Sequence, residues 1–298
     1  MSIRVASAPV SWGVMEAEGF DGRQTYGEVL DEIAQAGYEG TELGPYGFLP
    51  TEPTRLQSEL KRRRLTLVGA FVPLPLAAAE RHEAGFREAM KTADLLAKSG
   101  ARFVVLADEM SPERMAVAGR VTERDGLTEA QWKRAATLVT RAAEACAQRG
   151  LCAVFHHHVG TFVETPEEVE RLFALTDPGL LGLCLDTGHY HYGGGDAVKA
   201  AKRYGKRIRH LHFKDVRPAA LETARRERLD FLGAVRHGVF CELGEGAVDL
   251  PKVVEALNES GFDGWAVVEQ DVDIAQPDVR PLESARRSRQ YLREKIRI

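Results

Sequence analysis

Eight short apolar runs alternate along this chain with stretches whose apolar residues recur at helical spacing, and that alternation limits the fold more than any other feature. The runs are Arg4–Ser11, Gly40–Leu43, Leu65–Phe71, Phe103–Ala107, Cys152–His157, Leu181–Asp186, Ile208–Phe213 and Trp265–Glu269. Between the first three, Tyr26–Ala36 places Val29, Leu30, Ile33 and Ala34 on one helical face and closes at Gly37, and Pro53–Arg63 turns Leu56 and Leu60 inward. Phe86–Ser99 repeats Phe86, Met90, Ala93 and Leu96 and stops at Gly100, and Thr128–Arg149 has Thr128 as its cap and Gly150 at its end. Pro166–Leu175, Asp196–Tyr204, Leu250–Ser260 and Leu282–Glu294 complete the helices. No linker-like break intervenes, so the pattern predicts an α/β fold, a single (β/α)8 TIM barrel domain over residues 1–298. The rival, an open doubly wound sheet, would want a Gly-rich dinucleotide fingerprint after the first strand, and there is none. Asp108–Gly126 is polar and aperiodic and reads as a long loop over one end; Arg217–Glu245 is irregular, with a helix expected around Ala219–Phe231.

Charge and cysteine usage narrow the function. Forty Lys+Arg against 44 Asp+Glu leave a net charge of −4, which gives no bulk positive field for a nucleic-acid backbone. Cys146, Cys152, Cys184 and Cys241 show no CxxC spacing and sit mostly in apolar segments, as reduced core thiols do. The N-terminus has no charged leader followed by an apolar segment, and no 18 apolar residues run together. A cytoplasmic protein is expected, without a membrane or nucleic-acid partner and compatible with a homo-oligomer.

In a barrel of this kind the C-terminal strand ends converge on one mouth. Side chains alternate along a strand, so Gly182, Cys184 and Asp186 point one way and Leu183 and Leu185 the other, small residues inside and large ones outside. The same rule groups His156 with His158, leaving His157 on the opposite face. It also groups His210, His212 and Lys214, and it groups Trp265, Val267, Glu269 and Asp271. Adding Glu42 gives imidazoles, carboxylates and one amine able to share a cavity. Such a mixed set suits a divalent first-row metal, manganese or cobalt as readily as zinc. A lone buried histidine is more often a hydrogen-bonded core residue, but four successive strands ending in ligand-type residues are hard to explain by packing, since Asp and Glu are almost never buried unpaired. Trp12 in the first exit loop, His189 after Asp186, and Arg217 are candidate substrate contacts, with a surface salt bridge as the other reading of Arg217. Glu242, Glu245 and Asp249 either line the mouth or are solvated, and Gly193–Gly195 reads as a flexible loop.

These residues sit in a set of motifs: APVSWG at Ala8–Gly13, GTELG at Gly40–Gly44, HHHVGT with the following ET at His156–Thr165, LDTGH at Leu185–His189, RIRHLHFKDVRP at Arg207–Pro218, LGEGAVD at Leu243–Asp249 and GWAVVEQDVD at Gly264–Asp273. In combination they resemble the xylose-isomerase-like barrel superfamily of sugar isomerases, epimerases and dehydratases, and within it the inosose dehydratases. The resemblance implies a metal set of Glu, Asp, His and Glu from strands five to eight. Asp186, His212 and Glu269 match the last three positions, whereas the fifth strand offers His156 or His158 in place of Glu; His156 is favoured, with His158 facing substrate.

The implied cofactor is a divalent metal ion, manganese or cobalt ahead of zinc or magnesium. The implied activity is metal-dependent removal of water from a cyclic polyol ketone, 2-keto-myo-inositol, through an enediolate. Glu269 or Glu42 would serve as base, Lys214 and His158 as proton donors or oxyanion partners, and His189 as a substrate contact. A ketose 3-epimerase or aldose–ketose isomerase would form the same enediolate and return the proton elsewhere. Phosphodiester cleavage, as in endonuclease-like relatives, would need more metal ligands and a basic face; sugar binding without turnover is the remaining alternative.

Overall fold

The computed structural model describes residues 3–15, 22–276 and 278–298. Its main sheet contains Ile3–Ser7, Gly40–Thr41, Thr66–Leu67, Gly69–Leu74, Phe103–Asp108, Cys152–His156, Gly182–Asp186, Ile208–Phe213 and Gly264–Val268, all parallel to their neighbours. The two ends of this sheet are consecutive in the chain. Val68 N–H donates to Thr41 O at 2.9 Å while Val68 O accepts from Phe103 N at 3.1 Å, so residues 66–74 act as one strand that closes the ring. The expected (β/α)8 barrel is therefore the fold, and the third run appears as two pieces because its partner changes at Val68.

The expected alternation holds. Val105, Val154, Cys184, Trp265 and Val267 fill the interior. Phe155, Leu183, Leu185, Leu211, Phe213 and Val268 face outward into a layer shared with helix residues such as Leu30, Leu96, Val139, Leu172 and Leu257. Helix starts follow the chemistry of their caps: Thr25, Thr128 and Thr165 each close a capping box with the residue three further on, satisfying N–H groups that the first turn leaves unpaired. Among the described residues no helix is long and apolar enough to cross a membrane.

Three expectations change in detail. The first run stays extended only to Ser7 and then coils into a 3-10 turn, Pro9–Trp12, where Pro9 removes a ladder donor. The polar stretch after Phe103–Asp108 is not a plain loop, because it contains the helix Pro112–Ala116 and is pinned by Arg114. That fully buried guanidinium donates to Glu168 Oε1 at 2.8 Å and Oε2 at 3.0 Å. The single helix expected around Ala219–Phe231 is two, Pro218–Glu227 and Phe231–Arg236; Arg228 turns left-handed at φ 54° and Asp230 caps the second through Gly233 N–H. Together with the antiparallel pair Asp215–Val216 and Phe240–Cys241, these helices form a second apolar cluster around Val216, Leu221, Phe231, Val235 and Phe240.

Asp215 holds the neighbouring LGEGAVD loop. Its Oδ1 accepts from Val216 N at 2.8 Å and Val248 N at 3.0 Å, and its Oδ2 from Gly244 N at 3.0 Å and Gly246 N at 3.1 Å. The carboxylate comes so close to Gly246 that a Cβ there would lie 2.1 Å from Asp215 Oδ1. Replacing Asp215 by Ala leaves buried backbone donors unpaired and is expected to destabilise the fold by about 3 kcal/mol. A lowered urea midpoint at unchanged slope would show this; an unshifted midpoint would mean that the loop is held by other contacts.

Candidate metal centre and active-site pocket

The strand ends surround a cavity of about 310 Å³. One wall is polar, formed by Glu42, His156, His158, Lys214, Glu269 and Asp271; Val10, Val14, Met15, Phe71, Met110 and Phe231 contribute apolar surface. Register explains the convergence. His212 pairs with Asp186 on one side and Val267 on the other, and His156 pairs with Cys184, so these inward-facing side chains stand at neighbouring levels of the pleat.

Four ligand atoms meet beside this cavity, which His156 and Glu269 line while Asp186 and His212 lie buried next to them. His156 Nε2 lies 3.4 Å from Asp186 Oδ2, and His212 Nδ1 lies 3.9 Å from Asp186 Oδ2 and 3.2 Å from Glu269 Oε2. All four residues are buried, and one ligand atom from each falls within 4.8 Å of the others. A tetrahedral ion with ligands at about 2.1 Å separates them by about 3.4 Å, so the spacing fits a metal. Asp186 Oδ2 and His212 Nδ1 are buried without a hydrogen-bond partner, as lone pairs turned toward a cation would be. Two imidazoles and two carboxylates thus form a set able to hold a divalent metal.

Charge balance supports the same conclusion. Glu42, Asp186, Glu269 and Asp271 are buried beside a single ammonium, Lys214, and an excess of buried negative charge calls for a further cation. Burial alone would raise the Asp186 carboxyl, yet the charges of Lys214 and His189 hold it well below its ordinary value. Burial would likewise depress His212, but Cys184, Glu269 and Glu42 raise it well above the usual histidine range. Glu42 also orients His212: its Oε1 accepts from His210 Nε2 at 2.8 Å and His212 Nε2 at 3.2 Å, which turns Nδ1 toward Asp186 and Glu269, where a bound cation would take the place of its proton.

A second group lies on the same wall. Lys214 Nζ is 2.7 Å from Asp271 Oδ1, 2.9 Å from His189 Nε2, 3.3 Å from Glu269 Oε2 and 3.4 Å from Asp186 Oδ2. Burial opposes its charge, but Asp186, Asp271 and Glu269 raise it above the ordinary lysine value, so it is an ammonium. Burial pushes the Asp271 carboxyl up to about 6 against the pull of Lys214. His158 is held well below its ordinary value by burial, with His156 and Lys214 adding to the effect, and is neutral; its Nδ1–H donates to Val159 O at 2.7 Å, leaving Nε2 as an acceptor.

The structure brings His156, Asp186, His212, Glu269, Lys214, His158 and Glu42 together and moves three expected contacts elsewhere. Trp12 is fully buried, and its Nε1–H donates to Glu32 Oε2 at 2.7 Å, because the 3-10 turn rotates the indole into the core. Arg217 stands at the start of Pro218–Glu227 with its side chain 49% exposed, 3.4 Å from Glu245: the salt-bridge reading is the one realised. His189 is not on the cavity wall; it lies buried behind, its ring 3.9 Å from that of His158, and reaches the site through Lys214. His157 faces the opposite way, against Tyr190. Glu242 pairs with Arg287, Asp249 caps Leu250–Glu259, and Gly193 and Gly195 are packing positions where a Cβ would meet Glu164 O at 2.6 Å and the Tyr190 ring at 2.3 Å. Asp271 is the residue sequence reasoning grouped with Glu269 but gave no role.

A closed (β/α)8 barrel with a mixed imidazole–carboxylate cluster at its mouth defines a metal-site TIM barrel. The chain belongs to the xylose isomerase-like TIM barrel family, whose model matches residues 30–295. It is 34% identical over 295 residues to an inosose dehydratase of Lacticaseibacillus casei, covering 98% of this chain and 97% of that one. A rhizopine catabolism protein of Rhizobium meliloti is 37% identical over 276 residues, 93% of this chain and 84% of the relative. Among solved structures, the IOLI protein with a binding zinc atom superposes with a TM-score of 0.71 at 17% identity, over 98% of this chain and 97% of that one. An L-ribulose 3-epimerase gives 0.72 at 17% identity, covering 98% and 93%. At such identities these two structures speak for the fold alone.

Calorimetric titration with Mn²⁺ checks the centre. His212→Ala should abolish binding, and Glu42→Gln should weaken it about 10–100-fold by releasing the His212 ring. Wild-type affinity in both variants would place the ion elsewhere.

Proposed function

We propose that this protein is a metal-dependent hydro-lyase that removes water from an inosose, 2-keto-myo-inositol being the leading substrate, in inositol breakdown. The observation that carries this reading is the buried His156, Asp186, His212 and Glu269 set, whose His156 and Glu269 line one cavity together with an ammonium and a neutral imidazole. The full-length similarity to inosose dehydratases supports it. The four cysteines are free, which supports a cytoplasmic placement.

Mixed hard and borderline donors favour manganese or cobalt, and such an ion, when bound, supplies Lewis-acid polarisation of the ketone and adjoining hydroxyl. Glu269 takes the proton from the carbon next to the ketone. The electron pair of that C–H bond becomes the new carbon–carbon double bond as the C–O bond of the hydroxyl on the following carbon breaks. Lys214 donates the proton with which that hydroxyl leaves as water. His158 Nε2 accepts from a substrate hydroxyl and holds the ring in register. Phe71, Met110 and Phe231 offer apolar surface to the C–H faces of the ring and exclude bulk water.

A ketose epimerase would share the first proton removal and return the proton on the other face. Mass spectrometry separates the two outcomes. The metal-loaded protein should convert 2-keto-myo-inositol to a product lighter by one water, and Lys214→Met should lower kcat about 10²–10⁴-fold. Epimerised ketose with no loss of mass would contradict the reading.

A further inference from the structure

Lys214 lies between two sets of carboxylates. On one side Asp186 Oδ2 and Glu269 Oε2, both in the metal set, stand 3.4 and 3.3 Å from its Nζ. On the other, Asp271 Oδ1 stands at 2.7 Å and His189 Nε2 at 2.9 Å. The shorter pair wins the ammonium, since charge-assisted hydrogen bonds form near 2.7–2.9 Å and weaken steeply beyond. His158, His189 and Asp271 also come close enough to resemble a second metal site, but the ammonium already sits against two of them.

We propose that Asp271, backed by His189, is a positioning residue that holds the Lys214 ammonium away from Asp186 and Glu269, so that one buried cation does not occupy the place of the other. The reason is Coulombic. A fixed positive charge a few ångströms from two metal-binding carboxylates competes with a metal for them, and the competition is strong in a buried site. Asp271 supplies the counter-charge that keeps the lysine at the cavity wall. There it meets substrate, while the oxygens of Asp186 and Glu269 stay available to the ion. His189 is closed off from solvent behind the lysine, and the Phe240 ring centre lies 5.1 Å from Nζ, so the space behind the ammonium is filled and its open side is the cavity. Nothing in this arrangement requires Asp271 to touch substrate or metal.

The proposal rests on the hydro-lyase reading only for its catalytic half. Asp271→Asn, Lys214→Met and the double variant are compared for Mn²⁺ affinity by calorimetry and for kcat and KM with 2-keto-myo-inositol. Asp271→Asn alone should weaken Mn²⁺ binding about tenfold and lower kcat about 100-fold with KM changed less than about threefold, because the released ammonium falls back on Asp186 and Glu269. In the Lys214→Met background the same substitution should change Mn²⁺ affinity and kcat by less than about twofold, as expected of residues that act through one another. Asp271→Glu should recover part of the affinity. Equal losses of Mn²⁺ affinity in both backgrounds, or none in either, would overturn the proposal. Coupled Mn²⁺ affinities in a protein that leaves every inosose unchanged would uphold it and remove the hydro-lyase reading instead.

Discussion

The mouth of this barrel depends on buried carboxylates that outnumber the cations the described residues set beside them. Asp186 and Glu269 are driven inward by strand alternation, Glu42 arrives from the opposite side, and Lys214 is the ammonium set among them. Desolvating such charges is costly unless each finds a partner. The imidazoles supply part of the answer, through Glu42 with His210 and His212. A divalent ion supplies the rest, and the orphaned Asp186 Oδ2 and His212 Nδ1 are where it would be received.

Everything outside the mouth serves to hold these groups still. The ring closes through Val68, the interior is packed by Val105, Val154, Trp265 and Val267, and the helices cover the outward leucines. The cap over the mouth is tied down by side chains rather than by apolar area alone. Arg114 clamps the segment after Asp108 to Glu168, and Asp215 gathers three backbone N–H groups of the loop that follows Phe240–Cys241. Met110 reaches the cavity from the first of these segments, and Phe231 from the start of the helix Phe231–Arg236.

How much of this was legible in the sequence follows from periodicity. Strand alternation is a local rule, so Asp186, His212 and Glu269 could be placed on one inner face from spacing alone. The choice between His156 and His158 could not be read that way, because both share the face. It turns on where the strand ends, at His156, and on the bond from His158 Nδ1–H to Val159 O that diverts the second ring to the wall. Trp12 departs from its expected place for the opposite reason, and Arg217 takes its salt-bridge reading instead of the substrate one. Proximity to a strand end suggested the mouth, but a 3-10 turn and a helix start redirect both side chains, and those depend on packing far along the chain. Asp215 carried no sequence signal, since a carboxylate that organises a distant loop looks like any other. Asp271 did carry one: it lies two residues beyond Glu269 on the same face, and its importance appears only beside Lys214.

Among the described residues three clusters of metal-capable side chains occur, and His156, Asp186, His212 and Glu269 form the one assigned to the ion. Anomalous diffraction from crystals soaked in Mn²⁺ distinguishes them directly. The predicted result is a single strong peak within coordination distance of His156 Nε2, Asp186 Oδ2, His212 Nδ1 and a Glu269 oxygen. A peak centred instead on His158, His189 and Asp271, or on Cys184 and His210, would contradict it.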